Sequence, residues 1–457
     1  MKKAMRIPAL ILTFVMLSGA AACSGKSDTE EVVTMASDTT VTAETEDLTY
    51  RDELPEEDFE GYEFRVVTGI HGTYIVSTFS TDSESGDTLN DVLYRRNVKL
   101  EERFNFKFKE NVMKDIFNVN DEVKKTTTAG DDAYDLAMMI DRYALTAGID
   151  GQLYSYNDLP YINLDKGYWD QNMSRDFSIG NKLFFTSGAD NLVFFSSITH
   201  LVFNKVMAAD YNLESPYDLV RNGKWTFDAF FGMMSDVTAD LDGDGKYSDT
   251  DQYGIVATNN MFWPNLWINS GYKLVEKDEN DMPYFNIPGN DGFVSILQSI
   301  HDYGYSGDSK SVFLIGRDKV TSYTTTGSSY NLAMEMFTAG RSLFCGASLV
   351  TILDTRGMDN DFGIIPYPSQ NEVAAGTAYG CRTFGGFPYV VPVTNPDLAR
   401  TSIIMEALAC ESYQSVRPAL YDILLKTKVS RDTESEQMLD YDAFKPYNRP
   451  WRKLLVG

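Results

Sequence analysis

The chain has 457 residues, 43% of them hydrophobic and 13% aromatic, which is material for two or three domain-sized cores. Its 66 Asp and Glu against 40 Lys and Arg give a formal charge of −26. That balance argues against nucleic acid and anionic lipid as partners, because both require a basic face.

Lys2, Lys3 and Arg6 precede a mostly apolar run, Ile7–Leu17, and small residues from Ser18 to Ala22 lead to Cys23. The run is too short to span a bilayer and fits the apolar part of a signal peptide over residues 1–22. The placing of Cys23 resembles a bacterial lipobox, whose cysteine is lipidated and becomes the new first residue. Ala20 stands where that pattern usually has Leu, and an ordinary signal peptide cut near Ala22 is the alternative. Residues 23–60 are rich in Ser, Thr, Asp and Glu and cannot bury enough surface to fold, so they read as a flexible acidic tether. Cys345, Cys381 and Cys410 form no disulfide framework and no Cys-x-x-Cys, and they read as small buried hydrophobes.

Tyr62–Thr68 alternates and then turns apolar, as a buried strand does. A helix follows from Asp87 or Thr88, with Leu89, Val92, Leu93, Val98 and Leu100 on one stripe. Phe104, Phe106 and Phe108 mark a second strand, 119–128 a helix, and Tyr134–Ile140 a third strand. Strand-helix-strand-helix-strand is the order of an α/β sheet with parallel strands, whose ligands sit beyond the strands' carboxyl ends. That singles out His71, Asp141 and Arg142. Further strands are expected at Ile198–Phe203, Tyr253–Val256, Ser342–Cys345, Phe362–Ile365 and Phe387–Val393. Helices are expected near Lys205–Tyr211, Pro216–Arg221, Thr226–Val237, Met261–Asn269, Asp291–Tyr303, Ser329–Phe337, Asp397–Cys410, Ser412–Leu425 and Glu434–Tyr441.

Several stretches, unspecific alone, together resemble an extracellular solute-binding protein of a bacterial ABC importer, of the large family 1, sugar-carrying type. They are Cys23, Asn90–Asn97, Tyr134–Leu136, Tyr217–Thr226, the acidic loop ending Asp251–Gly254, Asp361–Pro368 and Leu424–Asp432. The resemblance implies a two-lobe periplasmic-binding-protein-like fold (type II) over residues 61–457, with the ligand cleft between the lobes. Lobe 1 would cover about 61–185 with later returning segments, and lobe 2 about 200–375, the C-terminal helices being shared. Strands near Leu183–Thr186 and Ile198–Asn204 would carry the chain between lobes. Closure of such lobes needs only a few residues to absorb the backbone change.

Asp240-Leu-Asp-Gly-Asp-Gly-Lys-Tyr-Ser-Asp-Thr-Asp251 has the spacing of a calcium loop. Asp240, Asp242, Asp244, the Lys246 carbonyl, Ser248 and Asp251 would be the ligands, with Gly245 at the sharp turn. A sensor needs paired loops and only one is present, so the expectation is a structural calcium ion; a solvated Asp/Gly turn is the alternative. Sugars present apolar faces edged with hydroxyls, so their sites combine flat aromatics with a few charged groups or amides. Trp169, Trp263, Trp267, Arg382, Phe384 and Phe387 are candidates, with core packing the competing role for the tryptophans. Asp141 and Arg142 are the best polar candidates, an ion pair capping the next helix being the alternative. Trp225 is assigned to packing.

No catalytic motif appears: His71, His200 and His301 lack metal-ligand spacing, and there is neither a Gly-x-Ser-x-Gly elbow nor a phosphate-binding glycine loop. His200 reads as a satisfied core residue. The resemblance therefore implies a non-enzymatic, lipid-anchored binding protein that captures a carbohydrate and hands it to ABC permease subunits. It would sit on the outer face of the cytoplasmic membrane, the periplasmic side where an outer membrane exists. A secreted carbohydrate-active hydrolase and a surface glycan-binding protein without a transporter are the other readings.

Overall fold

A computed structural model describes residues 52–70, 79–306, 310–316, 318, 329–352, 358, 360–377, 379–380, 382–383, 386–420 and 433–442. Cys23, His71, Cys381 and Phe384 lie outside them. The strands are β1 (Tyr62–Gly69), β2 (Phe106–Met113), β3 (Leu136–Met138), β4 (Thr199–Asn204), β5 (Tyr253–Thr258), β6 (Val275–Lys277), β7 (Pro283–Phe285), β8 (Val312–Ile315), β9 (Ser342–Ser348), β10 (Phe362–Ile365) and β11 (Tyr389–Val390).

Lobe 1 is built on a sheet of order β11-β3-β1-β2. β1 runs parallel to β2 and β3, and β11 returns antiparallel against β3. The βαβ crossover is helix Thr88–Phe104, opened by the Asp87 carboxylate accepting from Asn90 N and ended by Asn105 at φ 49°. Gly69 closes β1 because a Cβ there would lie 2.6 Å from Ile116 Cα, at the start of helix Ile116–Ala129. The core joins Phe64, Leu100, Phe106, Val119, Leu136 and helix Leu398–Gln414, among others.

Lobe 2 carries a five-stranded sheet, β10-β4-β9-β5-β8. β5 is parallel to β8 and β9, while β4 is antiparallel to β9 and β10. Its two faces are covered by separate apolar clusters, one around Trp225, Phe230 and Phe262, the other around Val202, Phe313 and Met336. Trp225 is fully buried and donates to Pro366 O, in keeping with packing.

Four expectations change. The tether expected over 23–60 ends earlier: Asp52 pairs with Arg103 and Phe59 packs on Phe104 and Phe106, so residues 52–60 belong to lobe 1. Leu183–Thr186 is buried irregular chain, its Leu183 N held by Ser155 Oγ and Asn157 Oδ1 in place of a sheet partner. The chain instead passes between sheets through the short helix Leu192–Ser196, and Thr199–Asn204 lies within lobe 2's sheet. Of Phe387–Val393 only Tyr389–Val390 joins the sheet, Pro388 having no N–H to extend the ladder, while Pro392 makes an isolated antiparallel bridge to Leu153. The break between the two helices expected over Asp397–Leu425 falls later than Glu411: the first, Leu398–Gln414, ends at Ser415, and helix resumes over 416–420. Cys345 and Cys410 are buried and unbridged. Among the described residues no helix is long and apolar enough to cross a membrane.

Candidate functional site

The chain passes from lobe 2 back to lobe 1 between Arg382 and Gly386, and each of these two residues is fastened to one lobe. On the lobe 1 side, Asp141 N donates to Gly386 O (3.0 Å) and Gly386 N to Asp141 Oδ2 (3.2 Å). On the lobe 2 side, Arg382 N donates to Asn265 Oδ1 (3.2 Å) and Thr199 Oγ1 to Arg382 O (2.7 Å). Four residues span at most about 14 Å, so the two anchor points are close.

Asp141 opens helix Asp141–Ile149 at the carboxyl end of β3, where its other oxygen accepts from Arg142 N (2.6 Å). In place of the alternative, an ion pair with Arg142, the Asp141 carboxylate accepts these backbone N–H groups. Arg142 is exposed, and its guanidinium lies 4.8 Å from the Tyr143 ring and 5.8 Å from the Phe117 ring. Phe117 and Tyr143 meet edge to face at 6.3 Å and are each about two-fifths exposed. Ile70 and Val112, exposed at the ends of β1 and β2, lie at the same edge of the sheet. An arginine clasped by two open rings offers a flat apolar surface beside five N–H donors, which suits a hydroxyl-edged apolar ligand.

On lobe 2, β5 feeds helix Asn259–Asn269, which contains Pro264. Proline cannot donate to the carbonyl four residues back, and the Arg382 guanidinium supplies that bond to Asn260 O (2.5 Å). Arg382 thereby secures the crossing segment to lobe 2. Thr258 Oγ1 and the Asn269 side-chain amide are buried with no hydrogen-bond partner among the described residues. Such orphans are costly and mark places where water or a ligand completes the bonding. Neither residue carries a sequence signal, since Thr and Asn at helix ends usually read as caps.

The remaining aromatics separate by burial. Trp169 is in the lobe 1 core, donating to Glu406 Oε2 (2.9 Å) beside Tyr168, whose hydroxyl donates to Glu406 Oε1. Trp263 is in the lobe 2 core, where Gly304 leaves room for it: a Cβ there would lie 1.9 Å from the indole. Phe387 is buried in lobe 1. These three belong to packing. Trp267 is half-buried, 6.3 Å from Phe293. A cavity of about 540 Å³ opens elsewhere in lobe 1, between Glu53, Leu54, Tyr161, Lys166 and Glu406, and no cleft candidate lines it.

In the acidic loop, carboxylate oxygens of Asp240, Asp242 and Asp244 lie within 4.8 Å of one another. Asp251 is apart from them, its oxygens accepting from Leu241 N (2.9 Å) and Ser248 N (2.8 Å). Ser248 O accepts from the Tyr253 hydroxyl (2.7 Å) and Lys246 Nζ sits 3.8 Å from Asp244. The three clustered carboxylates suit a hard cation with water filling the other positions; Asp251 does not complete the set.

No protein-family model matches the sequence, and no curated protein sequence matches it. Solved structures do match in fold. A cyclo/maltodextrin-binding protein complexed with maltotetraose aligns over 87% of this chain and 89% of its own, at 12% identity and a TM-score of 0.51. UspC of M. tuberculosis aligns over 83% of this chain and 88% of its own, at 13% identity and a TM-score of 0.54. The chain therefore has the two-lobe periplasmic-binding-protein-like fold.

Proposed function

We propose that this protein is the substrate-binding lipoprotein of an ABC importer, capturing a mono- or oligosaccharide between its lobes. The observation that carries the reading is the open Phe117–Arg142–Tyr143 cluster, set at the strand ends of lobe 1 beside the segment that joins the lobes. Ligand that touches both lobes favours their closed arrangement by its differential affinity. The likeness in fold to a maltodextrin-binding protein supports a sugar as the ligand class. Delivery to permease subunits, a lipid on Cys23, and a place on the outer face of the cytoplasmic membrane complete the proposal, and capture requires no chemistry on the sugar. The acidic loop belongs to the same reading as a structural calcium site held by Asp240, Asp242 and Asp244.

A thermal-shift screen of mono- and malto-oligosaccharides tests the ligand. A sugar at 100 times its Kd adds about 2.7 kcal/mol to stability and raises the midpoint. Phe117→Ala and Tyr143→Ala each weaken binding about tenfold without lowering the unliganded midpoint by much, as both rings are already open to water. Stabilisation by amines or peptides with none by any sugar would remove the carbohydrate claim, and turnover of an oligosaccharide would favour the hydrolase. Calorimetry on chelator-treated protein tests the loop: no heat at millimolar calcium eliminates that site.

A further inference from the structure

Strands β6 and β7 form a two-stranded hairpin that projects from lobe 2, and every residue of β7 is exposed. An isolated hairpin of three-residue strands is marginal in water, so something outside it must hold it. Its base is rooted by Tyr272 and Trp267 against the lobe 2 core. Among the described residues, the polar partners of its arm lie in lobe 1, on the turn from Arg175 to Asn181. Lys273 Nζ reaches both oxygens of Asp176 (2.9 and 3.0 Å). Lys277 Nζ donates to Arg175 O (2.5 Å), Ser178 Oγ (2.7 Å) and its own Asp281 (2.8 Å). Asp281 accepts from Ser178 Oγ (2.9 Å) and Asn181 N (2.9 Å) through its carboxylate, and from Gly180 N (3.1 Å) through its carbonyl.

The backbone is bent to suit. Asp281 (φ 61°) and Asn181 (φ 62°) both adopt the left-handed conformation that non-glycine residues rarely occupy. Asn and Asp take this conformation more readily than other non-glycine residues, and here it aims both N–H groups of Gly180–Asn181 at one aspartate. Asp281 and Asp176 both titrate below the usual carboxylate range, burial being outweighed by Lys277, Lys273 and the other donors.

Position makes these bonds more than local. Helices Asp141–Ile149 and Asn259–Asn269 start at the two ends of the crossing segment, Asp141 on Gly386 and Asn260 on Arg382. They run about 14 and 16 Å. The far end of the first lies on Phe184, since a Cβ at Gly148 would sit 2.2 Å from that ring, and Phe185 packs 5.4 Å from Phe177. The far end of the second leads through Tyr272 to Lys273. The hairpin thus ties the lobes together away from the crossing segment, and separation of the lobes would break its bonds to the Arg175–Asn181 turn.

We infer that the β6–β7 hairpin is an inter-lobe latch that sets the balance between open and closed arrangements of the cleft, and so the affinity for ligand. This rests on the reading of the cleft as a site closed by lobe motion. The test uses the full mature chain, with Asp281→Ala, Lys273→Ala and, as a control, Lys125→Ala, which removes an exposed ion pair to Glu122 within lobe 1. Small-angle scattering without ligand should give a larger radius of gyration for both latch variants than for wild type or control. Added salt should move wild type toward the variants, as partly exposed pairs are screened. For whichever sugar stabilises wild type, affinity should fall about 5- to 50-fold in Asp281→Ala. An unchanged radius and unchanged affinity in both latch variants would overturn the latch. If no sugar binds any form while the variants still expand, the latch stands and the carbohydrate reading falls.

Discussion

His200, Asp190 and Glu406 are all withdrawn from water, and burial moves them in opposite directions along the pH scale. His200 lies in β4 with neither ring nitrogen bonded among the described residues, against the expectation of a satisfied core histidine. Burial pushes it down to about 3, so it stays neutral. Burial pushes Asp190 up to about 6, opposed by the Arg96 charge, and Glu406 up to about 7, opposed by the Tyr168 and Trp169 donors. The signs follow from which state holds the proton. Below the unfolded histidine value of about 6.5, the unfolded chain takes up a proton that folded His200 refuses, so stability is lost as pH falls toward 3. The two carboxyls hold protons in the folded state at pH values where the unfolded chain has released them. Their contribution is full below about 4 and is lost as pH rises through 6 and 7. Between pH 7.5 and 5 each group shifts stability by about 1–3 kcal/mol, His200 against the other two. Urea unfolding at both pH values should therefore show His200→Leu gaining more on acidification than wild type, and Glu406→Gln gaining less. Identical pH responses in all three would mean that these groups titrate as if in water.

Among the elements, the helix Asn259–Asn269 shows how one residue's defect is met from far along the chain. Pro264 leaves Asn260 O without its helical donor, and Arg382 supplies one from the crossing segment. Losing a charged donor to a carbonyl costs about 1.5–3 kcal/mol. Pro264→Ala returns a backbone N–H, so Arg382→Ala should cost at least 1 kcal/mol less in that background, by about the strength of one hydrogen bond. Equal costs in a double-mutant cycle would separate the two residues. A pairing of this kind cannot be read along a sequence, because the proline announces a missing donor but not the arginine that replaces it. What could be read was whatever repeats locally. The stripe Leu89, Val92, Leu93 and Leu100 gave the crossover helix, alternating phenylalanines gave β2, and the end of β3 pointed to Asp141 and Arg142. Aromatic type alone leaves Trp169 and Trp263 open between cleft and core; their burial is decided by Glu406 and Gly304, both remote in sequence. Phe117 and Tyr143 went unremarked because an aromatic in a helical pattern reads as core. The hairpin has no apolar alternation facing a core, and its partners are about 100 residues away.

At the scale of the molecule, two lobes with their own cores would ordinarily unfold in separate steps. Here one helix belongs to both. Thr88–Phe104 is about 25 Å long, and its first half buries Leu93 in the cluster of Val202, Ile198 and Val416 on lobe 2. Its second half buries Leu100 and Phe104 in lobe 1. Between them Arg96 and Asn97 are buried and tied to Phe79 O, with Arg96 also bonded to Ser412 Oγ. Neither core can lose its share of this helix without exposing the other's, and the chain threads each lobe from both of its ends. Calorimetry should accordingly show a single transition, with calorimetric and van't Hoff enthalpies near equal, despite the two sheets. Leu93→Ala removes a buried side chain at the junction and should cost about 3 kcal/mol. That loss should lower the one midpoint for the whole molecule, read by tryptophan fluorescence from Trp169 in lobe 1 and Trp225 in lobe 2 alike. Two resolved transitions in the wild-type protein, or a Leu93→Ala midpoint that falls for one lobe's tryptophan and not for the other's, would show that the helix does not couple the cores.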